Sequence, residues 1–164
     1  MMKRFSDLLM LHQELDELFL EHQRALIRGE LDTALCRLEA YESELLNHIW
    51  DEEEVLIPIY AARAEAPVGG SAEIFLNEHR KIREYLALFK AEFTNLSTAD
   101  DRERAVIFLL DSQTTFKRLL VHHDTRERKF LYPLLDQITT EQEKLSLFRR
   151  LKLPATKEAM AAAG

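Results

Sequence analysis

Apolar residues recur every three and four positions along most of this chain, the spacing of one helix face. Leu8, Leu11, Leu15, Leu18, Phe19 and Leu26 form the first stripe. They predict a helix over 5–28, with Ser6 as a start signal and Gly29 as its stop. Leu35, Leu38, Tyr41, Leu45 and Val55 predict a second over 32–63, with Asp32 as N-cap and Pro58 kinking it near Glu54. The segment 64–70, with its Ala, Pro and Gly residues, is the clearest loop. Phe75, Leu76, Ile82, Leu86, Phe89 and Phe93 predict a third helix from after Ser71 to near Leu96. Thr98 and Asp101 resemble a capping box ahead of a fourth helix that runs to about Asp136, its end kinked by Pro133. A short fifth helix over 140–151 opens on a Thr140–Glu143 capping box and is stopped by Pro154.

Four long amphipathic helices with short connections predict an all-α, up-down-up-down four-helix bundle with a short C-terminal fifth helix. One domain over 1–153 accounts for it, with 154–164 expected to be a mobile tail. Composition agrees. Hydrophobic residues make up 46% of the chain, enough for a core, while only 4 Gly and 4 Pro leave little room for the turns of an all-β fold. A formal net charge of -7 argues against nucleic acid or an anionic membrane as the main partner. No stretch approaches the roughly 18 apolar residues of a membrane span. Met1-Met2-Lys3-Arg4 mimics the start of a signal peptide, but His12, Glu14, Asp16 and Glu17 interrupt any apolar run behind it. With Cys36 as the only cysteine, no internal disulfide can form, and a reducing cytoplasm is the expected setting, as monomer or homodimer.

The candidate chemistry lies on the apolar stripes themselves. Each long helix carries one histidine on its inner face: His12, His48, His79 and His123. Two are followed four residues later by a glutamate, Glu52 and Glu127, and six residues after each glutamate comes a proline, Pro58 and Pro133. Residues four apart share a helix face, so each copy presents an imidazole beside a carboxylate. His12 and His48 each lie 18 residues from the turn near Glu30, about 27 Å along their helices, and therefore share a level. His79 lies at a similar distance from the turn near Ser97, and His123 somewhat further.

Any one of these histidines alone is more simply a hydrogen-bonded core residue. Four together, two with a paired glutamate, point to metal, because burying two carboxylates without a cation is costly. Imidazoles with bridging carboxylates suit iron, manganese or zinc. No His-Glu-x-x-His is present, and the absence of any Glu-x-x-His argues against a ferritin-type bundle. His122 falls about 100° round the helix from His123 and reads as solvated; His22 lies about 15 Å along the axis from His12, outside the site. Asp51, Glu53 and Glu54 read as a solvated charge run from which one could swing in, and Tyr41 as a core residue within reach of a ligand. Trp50 and Cys36 suggest no chemistry.

The spacing Leu8-x3-His12, the doubled His-x3-Glu-x5-Pro and Glu78-His79 resemble the haemerythrin-like HHE cation-binding family over nearly the whole chain. That resemblance implies a four-helix bundle holding two non-haem iron ions bridged by carboxylates, with zinc or manganese as alternatives. By position, His12 and His48 would hold one ion, His79 and His123 the other, and Glu52 and Glu127 would bridge. The oxygen-carrying members have a second histidine four residues from the first on the third helix, where this chain has Phe75 or Arg83, and end with His-x4-Asp rather than His123-x3-Glu127. Open positions on both ions are therefore implied, which fits members that sense or handle iron, O2, NO or peroxide better than reversible O2 carriers. A di-iron redox enzyme and a metal-stabilised interaction module are the alternatives.

Overall fold

The computed structural model describes residues 4–152. The terminal tail expected over 154–164 lies outside them. The long helices are α1 (Leu9–Ile27), α2 (Leu31–Asp51), α4 (Ala72–Ser97) and α5 (Arg102–Arg126); shorter ones are α3 (Ile57–Arg63), α6 (Tyr132–Ile138) and α7 (Glu141–Phe148). The long helices form an antiparallel ring in which α1 packs on α2 and α5, and α4 packs on the same two. The fold is all-α among the described residues, as the periodicity predicts, and none of these helices is long and apolar enough to cross a membrane.

Helix ends differ from the predicted caps where a neighbour offers a better partner. Gly29 stops α1 with φ +72°, a conformation that glycine adopts without strain. The turn is so tight that α2 is capped at Glu30, leaving Asp32 in its first turn instead of at its cap. Chain entry is a 3-10 turn, Phe5–Leu8, capped at Arg4 rather than started by Ser6. The backbone N–H groups of Phe5 and Ser6 donate to the Asp136 carboxylate on α6 (2.8 and 3.2 Å). The Thr98–Asp101 box does not form: the Thr98 hydroxyl donates to the Asn95 carbonyl, and Asp101 alone caps α5 by accepting from the Arg104 N–H. The Thr140–Glu143 box is present at the start of α7.

Before Pro58 and Pro133, where the sequence predicts kinks, the backbone widens. Glu52–Leu56 forms a π turn between α2 and α3, and Glu127–Leu131 forms its counterpart between α5 and α6. The N–H of Ile57 reaches back five residues to the Glu52 carbonyl, and that of Tyr132 to the Glu127 carbonyl. A proline has no N–H for the carbonyl four residues earlier, and its ring crowds that oxygen; a π turn relieves the clash without ending the helix. Each π turn begins at the glutamate of the His-x3-Glu pair.

The core is in two parts. One holds Phe19, Leu38, Tyr41, Ile82, Phe89 and Phe116 with their neighbours. The other holds Phe5, Leu11, Leu56, Phe75, Tyr132, Leu135 and Leu147 with theirs. On α1, α4 and α5 the candidate histidine falls between the two; on α2, His48 lies at the edge of the first, between Leu45 and Ile49. Phe116 centres the first part: fully buried, it meets the rings of Phe19, Tyr41, Tyr85 and Phe89.

Phe116→Ala should lower unfolding free energy by about 3–5 kcal/mol in denaturant titration, the range for a buried aromatic truncated to a cavity. The cap of α7 is a pH-dependent element. The Thr140 backbone N–H, then the Arg63 guanidinium, hold Glu143 down at about 2 against an ordinary 4.5. Because the folded value is depressed, its contribution is complete above pH 4.5 and lost as pH falls towards 2. The melting-temperature gap between wild type and Glu143→Gln should therefore shrink across that window.

Candidate metal centre

Each long helix delivers its histidine because the position falls on the helix's own buried stripe. His48, His79 and His123 are buried and His12 is nearly so; Glu52 and Glu127 are fully buried at the starts of the two π turns. The six side chains meet as two groups. His12 Nε2 lies 3.0 Å from His48 Nε2, and His79 Nε2 lies 3.2 Å from His123 Nε2. Glu52 spans the groups: Oε1 is 3.8 Å from His48 Nε2 and Oε2 is 3.1 Å from His79 Nε2. Glu127 spans them in the other sense, with Oε2 3.2 Å from His12 Nε2 and Oε1 2.6 Å from His123 Nε2. The extra distance of His123 from its turn is absorbed by the loop before α5.

These donors fit a pair of cations. Glu52 Oε2 and both Glu127 oxygens are buried without a hydrogen bond among the described residues. All four Nε2 atoms face the same interior space, in pairs that an ordinary hydrogen-bond network would not need. Two sets of donor atoms lie within 4.8 Å of one another: Glu52, His79, His123 and Glu127 in one; His12, His48 and Glu127 in the other. Uncompensated carboxylates in such surroundings are expensive, and cations held between them remove the cost.

Three further carboxylates hold the imidazoles from behind. The Nδ1–H of His12 donates to Asp124, that of His79 to Glu53 (3.0 Å), and that of His123 to Glu78 (2.9 Å). Each is itself paired with an arginine: Asp124 with Arg128, Glu53 in a two-pronged contact with Arg83, and Glu78 with Arg126. A hydrogen bond at Nδ1 fixes the tautomer that leaves Nε2 as the donor towards a metal. His48 has no such carboxylate among the described residues. The Tyr132 hydroxyl, on α6, donates to Glu52 Oε1 at 2.5 Å.

Electrostatics follow this geometry. Burial pulls every histidine down, and for His48 it wins, lowering the ring to about 3. For His12 the Asp124 hydrogen bond and the charges of Glu127 and Glu52 outweigh burial and raise it. His79 is raised by Glu52 and Glu53, and His123 by Glu127 and Glu78, again against burial. Glu127 is raised by burial and by the charge of Glu52 beside it, the strain that a cation would relieve. Tyr132 is pushed well up, by burial and then by Glu127 and Glu52, so its hydroxyl remains a donor.

All six candidates from the sequence thus converge. The solvated reading of Asp51 and Glu53 is corrected. Asp51 is buried and accepts from the Lys152 backbone N–H (2.7 Å), and Glu53 turns inward to His79; only Glu54 is exposed. His122 is exposed and His22 belongs to a separate buried network. Tyr132, Asp124 and Glu78 are missed as site residues by face-by-face reading, because each serves a histidine or carboxylate on another helix. A signal exists nonetheless: Glu53, Glu78 and Asp124 each directly adjoin a candidate ligand in sequence, so they sit at the site's level, rotated towards the next helix.

The family model described as Hemerythrin HHE cation binding domain matches residues 4–135. No curated protein and no solved structure matches the chain.

Asp124→Asn and Glu78→Gln should each weaken metal binding about 10–100-fold in chelator competition, the usual effect of removing a carboxylate behind a ligand histidine, with far-UV circular dichroism unchanged. Unaltered affinity in both would show that these contacts do not tune the donors.

Proposed function

The chain belongs to the hemerythrin HHE cation-binding domain family, and from that premise we propose a non-haem di-iron protein that binds or senses O2 or a related small molecule such as NO or peroxide. The observation that supports this reading best is the pairing of donors: two imidazoles on each side, with Glu52 and Glu127 each directing one oxygen to either side. His12 and His48 would hold one ion, His79 and His123 the other, and the two glutamates would bridge them. Imidazole with carboxylate and few protein donors per ion is the ligand type of redox-active iron sites with open positions, and a bound iron pair would supply there the capacity to take up such a small molecule. Zinc or manganese in the same donors is the alternative.

The chain's own residues prepare the site. Asp124, Glu53 and Glu78 keep three imidazoles in the Nε2-donor tautomer. The Tyr132 hydroxyl donates to Glu52 Oε1 and restrains that carboxylate, while Oε2, without a hydrogen bond among the described residues, faces His79. Phe75 and Leu56 on one side, with Leu45 and Ile82 on the other, bound the layer between with buried apolar side chains.

Protein purified without oxygen and loaded with Fe(II) should develop near-UV charge-transfer absorption on exposure to air or NO, and elemental analysis should find about two iron atoms per chain. His48→Ala should lose much of the signal. Identical spectra from wild type and this variant, or zinc as the resident metal, would sink the reading. At a thousandfold excess over Kd, bound metal should add about 4 kcal/mol of stability, a rise in melting temperature of roughly 8–16 °C.

A further inference from the structure

The α1–α5 seam contains a cavity of about 460 Å3 that runs from the surface to the donor layer. Its inner end is formed by His12, His48, His123 and Asp124, and its walls by Leu15, Phe19, Leu45 and Leu120. Leu20 and Val121, both exposed, flank it with Gln23 and Lys117. A diatomic molecule is about the size of a water, whose share of liquid is ~30 Å3, and would occupy under about a tenth of this space. The volume lies instead in the range of pockets for organic ligands.

Two independent features give the cavity a polarity. The first is a one-directional chain of hydrogen bonds ending on its only described lysine. His22 Nδ1–H donates to the Ala34 carbonyl (2.7 Å), Gln113 Nε2 donates to His22 Nε2 (2.9 Å), and Gln23 Nε2 donates to Gln113 Oε1 (2.9 Å). Lys117 Nζ then donates to Gln23 Oε1 (3.2 Å). His22 and Gln113 are fully buried, and burial lowers the His22 ring, which keeps it neutral so that Nε2 accepts. This chain uses one ammonium proton and holds the amine at the cavity wall with two left to donate. The second feature is Tyr41. It is 1% exposed, lines the cavity, and its hydroxyl has no hydrogen bond among the described residues. Burial, with the nearby Asp16 charge, pushes it up, so it is a donor looking for an acceptor. Asp124 at the inner end repels an anion, so a negative head group belongs on the Lys117 side. Lys117 lies six residues before His123 on α5, about 9 Å along the axis, which leaves room for an alkyl chain between them.

We propose that this cavity binds a medium-chain aliphatic carboxylate, its head group on the Lys117 ammonium, an oxygen accepting from the Tyr41 hydroxyl, and its chain against the leucine walls beside the metal layer. His22, Gln113 and Gln23 are positioning residues that hold Lys117. Its polar contacts, Lys117 and Tyr41, are not metal donors, although the cavity's inner end reaches three of them, and the site does not require that the ions be iron.

Isothermal titration of the full-length protein, as purified, tests it with octanoate, octylamine and octanol as probes. Octanoate should bind one-to-one and at least about tenfold more tightly than octylamine or octanol. Lys117→Met should weaken octanoate about tenfold and leave octanol unchanged, and Tyr41→Phe should weaken octanoate about fivefold. Lys117 is exposed and Tyr41→Phe removes one atom, so both variants should fold, which circular dichroism checks. No saturable binding of octanoate, or equal affinity for octylamine, overturns the proposal. So does an unchanged octanoate affinity in Lys117→Met, which would place the carboxylate directly on the metal instead. Absence of iron from the purified protein sinks the preceding functional reading but leaves these binding differences in place.

Discussion

Two carboxylates buried among four imidazoles dominate the physics of this molecule. Glu52 and Glu127 are fully buried, close enough that one raises the other, and three of their four oxygens have no hydrogen bond among the described residues. A bundle of this size gains only a few kcal/mol of net stability from all its interactions, and an uncompensated pair of buried charges would consume much of it. Cations between the carboxylates and the Nε2 atoms would turn the most expensive layer of the core into a cross-link joining all four long helices. Apolar packing above and below lowers the local dielectric, which strengthens the charge interactions inside that layer.

The two prolines connect local chain chemistry to this layer. Pro58 and Pro133 each deny a hydrogen bond to the carbonyl four residues earlier, and the backbone responds with a π turn that starts at Glu52 or Glu127. The wider turn changes the direction in which the following residues face, and α6 brings Tyr132 onto Glu52 in consequence. The same device on two helices produces the near-symmetric arrangement of bridging carboxylates. Around it, the arginine-backed carboxylates Asp124, Glu53 and Glu78 form an outer ring that adds to Glu52 and Glu127 in raising three imidazoles, while burial lowers His48, which has no outer carboxylate among the described residues. The two sides of the centre are thus electrostatically unlike: His48 lies with His12 on one side, and both histidines of the other carry a carboxylate.

The helices are also unequal as walls. Tight turns join α1 to α2 and α4 to α5, and each pair packs along its length. The α1–α5 seam instead encloses the cavity. The buried chain from Ala34 through His22, Gln113 and Gln23 to Lys117 crosses three helices at this seam. It orders the seam with directional hydrogen bonds in place of apolar contact. The metal layer and the adjoining cavity therefore share a wall, and whatever occupies the cavity lies against His12, His48 and His123.

Much of this architecture was legible in the sequence because helix periodicity is a local property. Spacings of three and four placed the long helices and set His12, His48, His79 and His123 on inward faces. The His-x3-Glu spacing put Glu52 and Glu127 beside two of them, since residues four apart on a helix are neighbours whatever surrounds them. Helix lengths measured from the turns placed the histidines near one level. What the chain could not reveal locally was everything that passes between helices: the reach of Asp124 to His12, Glu78 to His123, Glu53 to His79 and Tyr132 to Glu52. It also did not show whether each proline would kink its helix or widen it, a choice that depends on the packing around Glu54 and Lys129. The cavity and the hydrogen-bond chain behind Lys117 belong wholly to tertiary structure, because the gap along a seam depends on how two helices, distant in sequence, come to lie side by side.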